Sequence, residues 1–152
     1  MRENIANALK EALKAKDQVA LSTMRLIVAA LKDRDIVARG NDNPDGISDE
    51  EILGMLQTMI KQRTESAKMY RDGDRPELAA NEEAEIEIIK NFMPVQLSAD
   101  EMKQAIDSSI SKTGASSIKD MGQVMGYLKA HYAGQMDFSS ASQAVKATLM
   151  AK

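Results

Sequence analysis

Residues 92–98 read Phe-Met-Pro-Val-Gln-Leu-Ser, and this short segment decides how the chain is divided. Pro94 disfavours the α region for the residue before it, so a helix that arrives from the N-terminal side has to end here. Ser98 stands three residues before Glu101, the spacing of a capping box at which a new helix begins. The segment therefore predicts two domains, at residues 1–93 and residues 98–152.

On both sides of this boundary, apolar residues recur at intervals of three and four, the period of an amphipathic helix. In the first half this pattern runs through Leu21, Met24, Ile27 and Leu31. No segment alternates in the way that a strand would. The sequence predicts an all-α fold, with long helices in the N-terminal domain and three short ones in the C-terminal domain. The seven predicted helices lie near residues 2–15, 17–38, 49–72, 75–92, 99–112, 118–132 and 140–151.

Predicted helix starts and stops agree with this periodicity. Four starts show a serine followed three residues later by Glu, Asp or Gln. These N-cap serines are Ser48, Ser98, Ser117 and Ser140. Predicted stops fall at Gly40, Gly73, Pro94 and Gly114.

Composition excludes several classes of protein. The chain has 152 residues, no cysteine and one histidine, so disulfide frameworks, thiolate catalysis and Cys/His zinc sites are excluded. No stretch approaches the roughly 20 apolar residues of a membrane span, and the first residues do not resemble a secretion signal. The sequence predicts a cytoplasmic protein that does not associate with membranes.

Charge is distributed unevenly between the two halves. Residues 1–97 carry 14 lysines and arginines against 18 acidic residues, a net charge of −4, whereas residues 98–152 carry 6 against 5, a net charge of +1. A mildly cationic domain is compatible with RNA binding and is equally typical of an ordinary solvated surface.

No recognisable motif supports catalysis. Neither G-x-G-x-x-G nor G-x-x-x-x-G-K-[ST] is present, so a phosphate-binding loop is not indicated. Residues 41–46 resemble part of an EF-hand loop, but the twelfth position would be Ile52, which cannot bind calcium. His131 has no recognisable nucleophile or orienting acid around it. We therefore predict no catalytic residue, no metal site and no cofactor, and interpret His131 as a surface or RNA-contacting side chain.

A run of glutamates occupies positions 82, 83, 85 and 87. No histidine follows at the spacing of a carboxylate metal site, and Glu83 and Glu87 are predicted to face solvent. Glu82 and Glu85 lie near the apolar arc of their helix. Either could reach inward to form an ion pair, with Arg25 or Arg63 as the candidate cations.

Gly122 and Gly126 interrupt the sixth predicted helix, and each costs that helix about 1 kcal/mol relative to alanine. We call these two residues the glycine strip. In helical projection the strip lies beside the apolar arc and is flanked by Lys119 and Lys129. Two interpretations are open: a neighbouring helix packs closely against the small residues, or a phosphate backbone lies against them and the lysines neutralise its charge.

Several runs of residues, spread over nearly the whole chain, carry a family resemblance. They are Leu21-Ser22-Thr23-Met24-Arg25-Leu26 with Ala29, Ala30 and Lys32, Arg63-x-Glu65-Ser66, Gly73-Asp74-Arg75, Glu82, Glu85, the run 92–98, Thr113-Gly114-Ala115, and the run 119–125. At these residues the chain resembles the GatB/YqeY family. In that family, free-standing YqeY proteins are similar to the C-terminal tail of the B subunit of tRNA-dependent amidotransferases.

The resemblance implies a helical N-terminal domain followed by a small helical tail, which in the amidotransferase helps to hold the tRNA body. The chain has neither the ATP site nor the amidase sequence of that enzyme. It also departs from the family near its end. Where relatives commonly carry a basic Lys-Gly-Lys/Arg-Ala-Asp stretch, residues 131–137 read His-Tyr-Ala-Gly-Gln-Met-Asp, which weakens the expected RNA contact.

These observations predict a non-catalytic protein that binds RNA through its C-terminal domain, with tRNA or a tRNA-bearing complex as the expected partner. The residues predicted to contact RNA are Lys119, Gly122, Gly126, Lys129, His131 and Lys146. Two alternatives stay open. One is a protein–protein adaptor that docks a partner helix on the glycine strip; the other is an accessory component of an amidotransferase, a carbon–nitrogen ligase that uses glutamine as amide donor.

Overall fold

The computed structural model describes residues 1–152 and contains helices but no strand, which confirms the predicted all-α class. The helices are α1 (Arg2–Ala15), α2 (Gln18–Gly40), α3 (Asp49–Asp72), α4 (Pro76–Lys90), α5 (Ala99–Thr113), α6 (Met121–His131) and α7 (Phe138–Met150), with a 3₁₀ turn at Ile118–Asp120 before α6. The chain divides into two compact units, Met1–Met93 (unit 1) and Pro94–Lys152 (unit 2). That each domain folds independently stays a prediction.

Unit 1 is built from two helical pairs, α1 with α2 and α3 with α4, and α2 also packs against α3 and α4. The helix starts follow from local chemistry. At the start of α3, the Ser48 hydroxyl accepts from the Glu51 N–H at 3.2 Å, and the Glu51 carboxylate accepts from the Ser48 N–H at 2.7 Å. The fully buried core comprises Ile5, Met24, Ile27, Ile52, Met55, Leu56 and Ile89.

A buried carboxylate joins α1, α2 and the loop before α3. Asp35 lies on the core side of α2, and its two oxygens accept from the Arg2 guanidinium at 2.6 and 2.8 Å. The same carboxylate accepts from the Ile47 N–H at 2.9 Å, while Arg2 donates to the Ile47 carbonyl at 2.7 Å. The Arg2 hydrogen bonds, together with that from the Ile47 N–H, lower the pKa of Asp35 to about 2. We call Arg2, Asp35 and Ile47 the Asp35 cluster.

Gly46 completes this arrangement. Its φ of 81° lies in the left-handed region, and a Cβ atom there would collide with the Asp35 carboxylate. The position therefore requires glycine for two reasons, backbone conformation and space.

Unit 2 is a three-helix arrangement in which α6 packs against both α5 and α7. α5 begins at a capping box, in which the Ser98 hydroxyl accepts from the Glu101 N–H at 3.2 Å, and ends at Gly114 with a left-handed φ of 67°. Its core includes Ile106, Ile110, Val124, Leu128, Val145 and Leu149.

Residues 96 and 97 of the segment that suggested the boundary are attached to unit 2. The Leu97 N–H donates to the Gln135 carbonyl at 2.9 Å, and the Gln96 side chain donates to the Gly134 carbonyl at 2.5 Å. The turn between α6 and α7 thus holds the extended residues after Pro94.

Four predicted helix limits are corrected. α2 ends at Gly40, two residues beyond its predicted end. α7 begins at Phe138 rather than near Ser140, because Asp137 is the N-cap and accepts from the Ser139 N–H at 3.1 Å. Its carboxylate also accepts from the Ser140 hydroxyl at 2.9 Å, so Ser140 is a capping partner inside the helix. The predicted helix 118–132 is a 3₁₀ turn followed by α6. α4 ends at Lys90, two residues before its predicted end, because residues 91–93 form tighter turns.

The structure contains neither a membrane-spanning helix nor a metal-binding group of side chains. None of the helices is both long enough and apolar enough to cross a membrane. No group of three or more His, Cys, Asp or Glu side chains is arranged to hold a metal ion.

Candidate nucleic-acid interface

The glycine strip lies on the outer side of α6. The helix is held in unit 2 by Val124 and Leu128, which are fully buried. Gly122 and Gly126 are exposed, and a Cβ atom built at either position would meet no atom within 4 Å. No neighbouring helix of this fold packs against the strip, so the interpretation of close intramolecular packing is wrong. The physical reason is that α5 and α7 reach α6 through its apolar arc, on the other side.

Two of the lysines that are predicted to contact RNA lie close to the strip in sequence. Lys129 follows Gly126 by three residues and Gly122 by seven, which places it on the same helical face. Lys119 lies in the 3₁₀ turn, three residues before Gly122. Both side chains are exposed, and neither forms an ion pair within the protein. The strip is therefore an open stretch of backbone with an unpaired cation toward each end.

One acidic residue lies between Lys119 and the strip. The Asp120 carboxylate accepts from the N–H groups of Ser116 and Ser117 at 2.9 and 3.1 Å, and these backbone hydrogen bonds lower its pKa. Asp120 thus organises the turn that carries Lys119. It also reduces the positive potential at that end of the strip.

The remaining predicted contact residues are not on this face. His131 lies nine residues after Gly122, about half a turn away at about 100° per residue. Its ring lies 4.0 Å from that of Tyr127, measured between centroids, with an interplanar angle of 40°. Lys146 is exposed on α7. The structure brings together Lys119, Gly122, Gly126 and Lys129, whereas His131 lies on another face of α6 and Lys146 belongs to a different helix, α7.

The neutral stretch after α6 has a structural role that the sequence did not indicate. Gly134 has a left-handed φ of 75°, and the carbonyls of Gly134 and Gln135 accept the hydrogen bonds that fix residues 96 and 97. The turn therefore anchors the start of unit 2, and no lysine or arginine projects from it toward RNA.

Two glutamates of the run in α4 form ion pairs with arginines of α3. The Arg63 side chain donates to Glu85 at 2.8 Å and to the Met59 carbonyl at 3.2 Å, with both side chains largely buried. This confirms the predicted inward ion pair for Glu85 and selects Arg63 over Arg25 as its cation. Glu83, predicted to face solvent, forms an exposed ion pair with Arg71.

Comparison with known proteins gives one family and a set of named relatives. The family model described as "Yqey-like protein" matches residues 2–149. The protein named Altered inheritance of mitochondria protein 41, mitochondrial, is 32% identical over 90 residues in Lachancea thermotolerans, covering 59% of this chain and 46% of the relative. The Saccharomyces cerevisiae protein of that name is 29% identical over 125 residues, covering 78% of this chain and 64% of the relative.

The match spans between about half and two thirds of the length of these relatives. Their names also overturn the prediction of a cytoplasmic location, because both are named as mitochondrial proteins. That prediction was wrong because cysteine content and hydropathy do not distinguish one reducing aqueous compartment from another.

Proposed function

Since this chain belongs to the family of Yqey-like proteins, we propose that it is a non-catalytic accessory protein that binds RNA through unit 2, with tRNA or a tRNA-bearing complex as the partner. The resemblance of this part of the chain to the amidotransferase tail supports tRNA as the class of ligand. The relatives' names describe inheritance of mitochondria and identify no reaction.

The observation that carries the proposal is the open glycine strip. Two glycines within one helix cost about 2 kcal/mol together relative to alanine, and no packing contact within the fold requires them. A ligand that approaches the helix backbone does require them, because a side chain would keep it away. Unpaired Lys119 and Lys129 supply the positive charge that a phosphate backbone needs when it lies against the helix.

The proposed contact is weak and electrostatic. Two lysines, with a neighbouring carboxylate at one end, neutralise about two phosphates, so we expect a dissociation constant on the order of micromolar or weaker near physiological salt. A non-catalytic role accords with this geometry, since the strip offers backbone and ammonium groups but no nucleophile or general base.

A second candidate uses the same surface for a protein. Small residues four apart allow two helices to approach closely, and Ile118 beside the strip is 42% exposed. A partner helix docked there would make the protein an adaptor, for example as an accessory component of an amidotransferase. Such a contact would be mainly apolar and would therefore depend little on salt.

The test is to titrate the full chain with tRNA at several salt concentrations. We expect affinity to fall as salt rises from about 50 to 200 mM, with a log–log slope of roughly −1.5. The double variant Lys119→Ala with Lys129→Ala should abolish most of this dependence. The matched control is Lys103→Ala with Lys112→Ala, which removes two exposed lysines from α5 and should leave binding unchanged. Equal losses in the two double variants, or no measurable binding to tRNA, would refute the proposal.

A further inference from the structure

α2 carries a second apolar surface, on the side away from the core. Val19, Leu26, Ile36 and Val37 are 43, 48, 57 and 65% exposed. Exposed apolar residues that form one face of a helix indicate an interaction surface, whereas isolated ones do not.

The exposed residues follow a seven-residue repeat. One row consists of Val19, Leu26 and Asp33, and a second row, three residues further on, consists of Ser22, Ala29 and Ile36. Two rows with this offset are the a and d positions of a helix that packs along another helix. We call these six residues the outer seam. It spans about 25 Å at about 1.5 Å per residue, long enough to contact a partner helix over several turns.

The outer seam continues into a groove within unit 1. Asp33 belongs to the seam and also lines this groove, together with Val37, the residue after Ile36 of the seam. The groove has a volume of about 660 Å³, and its opposite wall includes Ile47 and Gly54 near the start of α3. A Cβ atom at Gly54 would meet nothing within 4 Å. The groove therefore has room beside α2 for side chains of a docked helix.

A row of cations borders the seam. Arg25, Lys32 and Arg39 are spaced by seven residues. Arg25 and Lys32 directly precede the seam residues Leu26 and Asp33, and Arg39 directly precedes the next position of that row. The three cations therefore occupy the g positions of the same repeat. All three are exposed. Arg25 and Lys32 have no acidic partner in the structure. Arg39 donates to the Pro44 carbonyl at 3.4 Å, and its charge also helps to lower the pKa of Asp35 without forming an ion pair with it.

The charge of this cation row determines which kind of helix can bind to the seam. In an antiparallel pair of α2 helices, g positions face g positions, so the two cation rows would repel each other. In a parallel pair, the row would face the e positions Thr23, Ala30 and Val37, which carry no acid. A second copy of this chain therefore leaves the cations uncompensated in either orientation.

We propose that the outer seam of α2 binds an amphipathic helix of a partner protein whose apolar stripe is flanked by acidic residues. This surface lies in unit 1 and is separate from the proposed RNA contact. Asp33 adds specificity, because it interrupts the seam and has no basic partner in the structure. The partner therefore presents a lysine or arginine opposite Asp33, and this pair sets the register in the way that a polar core residue does in a coiled coil.

The experiment uses the full chain and two designed peptides of about three heptads each. Both carry leucine at the a and d positions and one lysine placed to meet Asp33. One carries glutamate along the flanks and the other carries lysine there, so their helix propensities are similar. Fluorescence anisotropy should show binding of the glutamate-flanked peptide at least about tenfold tighter than that of the lysine-flanked peptide at low salt.

Variants then localise the contact. Leu26→Glu with Val37→Glu should weaken binding of the glutamate-flanked peptide at least about tenfold without changing the melting temperature, because the two residues are 48 and 65% exposed. Met69→Glu is the matched control, since Met69 is an exposed apolar residue on α3 outside the seam, and it should bind as the parent does. Charge reversal by Arg25→Glu with Lys32→Glu should transfer the preference to the lysine-flanked peptide.

Three results would overturn the proposal. Equal affinity for both peptides, or none for either, would show that the cation row selects no partner. Unchanged binding in the Leu26 and Val37 double variant would place the contact elsewhere. A dimer in sedimentation that this double variant converts to a monomer would show that a second copy occupies the seam.

Discussion

Gly46 in unit 1 and Gly126 in unit 2 are both glycines, and the structure gives them opposite roles. Gly46 has a left-handed backbone and no space for a Cβ atom, because the Asp35 carboxylate lies against it. Gly126 has ordinary helical backbone and open space around it. The comparison teaches that a glycine indicates a close approach, and that only the structure shows whether the approaching group belongs to the fold or comes from outside.

The largest expected effect is at Gly46. Gly46→Ala should destabilise unit 1 by roughly 2–4 kcal/mol, because it combines an unfavourable φ with displacement of a hydrogen-bonded carboxylate. Chemical denaturation followed by circular dichroism measures this loss. Gly40→Ala is the matched control, since Gly40 ends α2 with nothing near its Cβ position, and it should be neutral or slightly stabilising. Equal stability of the two variants would contradict the structural role of Gly46.

The same variant tests whether the two units fold independently. We expect Gly46→Ala to lower the melting temperature of unit 1 while the transition of unit 2 stays in place, so that calorimetry resolves two transitions. A single transition that shifts as a whole would show that the units unfold together.

A smaller effect is expected from acid. The hydrogen-bonded Arg2 lowers the pKa of Asp35 from 3.8 to about 2, so the native protein binds fewer protons than the unfolded chain between these values. The contribution of Asp35 to stability is complete above about pH 4 and is lost as the pH falls through 2. Because Arg2 is partly exposed to solvent, we expect Asp35 to contribute about 1–2 kcal/mol to the free energy of unfolding, less than the full pKa shift would correspond to.

Denaturation at pH 2, 3, 4 and 6 measures this dependence. Asp35→Asn is the comparison, because an amide cannot titrate, and its stability should change less over the same range. A parallel loss of stability in parent and variant would assign the acid sensitivity to other carboxylates.

Sequence patterns predicted the helical class and most helix positions, because periodicity and capping are local signals. Ser48 and Ser98 form the predicted capping boxes, but Asp137 rather than Ser140 begins α7, since an aspartate is an equally good N-cap. The Asp35 cluster was missed because its partners lie 33 and 12 residues away in sequence. Position 35 did carry a signal, as an acid four residues after Leu31 on the core side of α2.

The candidate site was only partly predictable. Two glycines in a helix indicated an approaching group, but periodicity could not distinguish a neighbouring helix from open space, because that depends on how α5 and α7 pack against α6. The sequence pattern did not reveal the outer seam of α2 for a related reason. Its residues are interleaved with those of the core face, so the helix reads as broadly apolar rather than as having two separate faces.

The smallest expected change in stability, and the sharpest contrast with Gly46, is at Gly126. Gly126→Leu should stabilise the protein slightly, by up to about 1 kcal/mol, because leucine has the higher helix propensity and its side chain enters open space. On the same sample, tRNA affinity should fall, since the new side chain keeps a phosphate backbone away from the strip. Ala147→Leu provides the control, because it enlarges an exposed side chain of a different helix of unit 2, α7, two residues after the buried Val145. If Gly126→Leu is destabilised and still binds tRNA as the parent does, the strip serves the fold after all, and the proposed RNA contact is wrong.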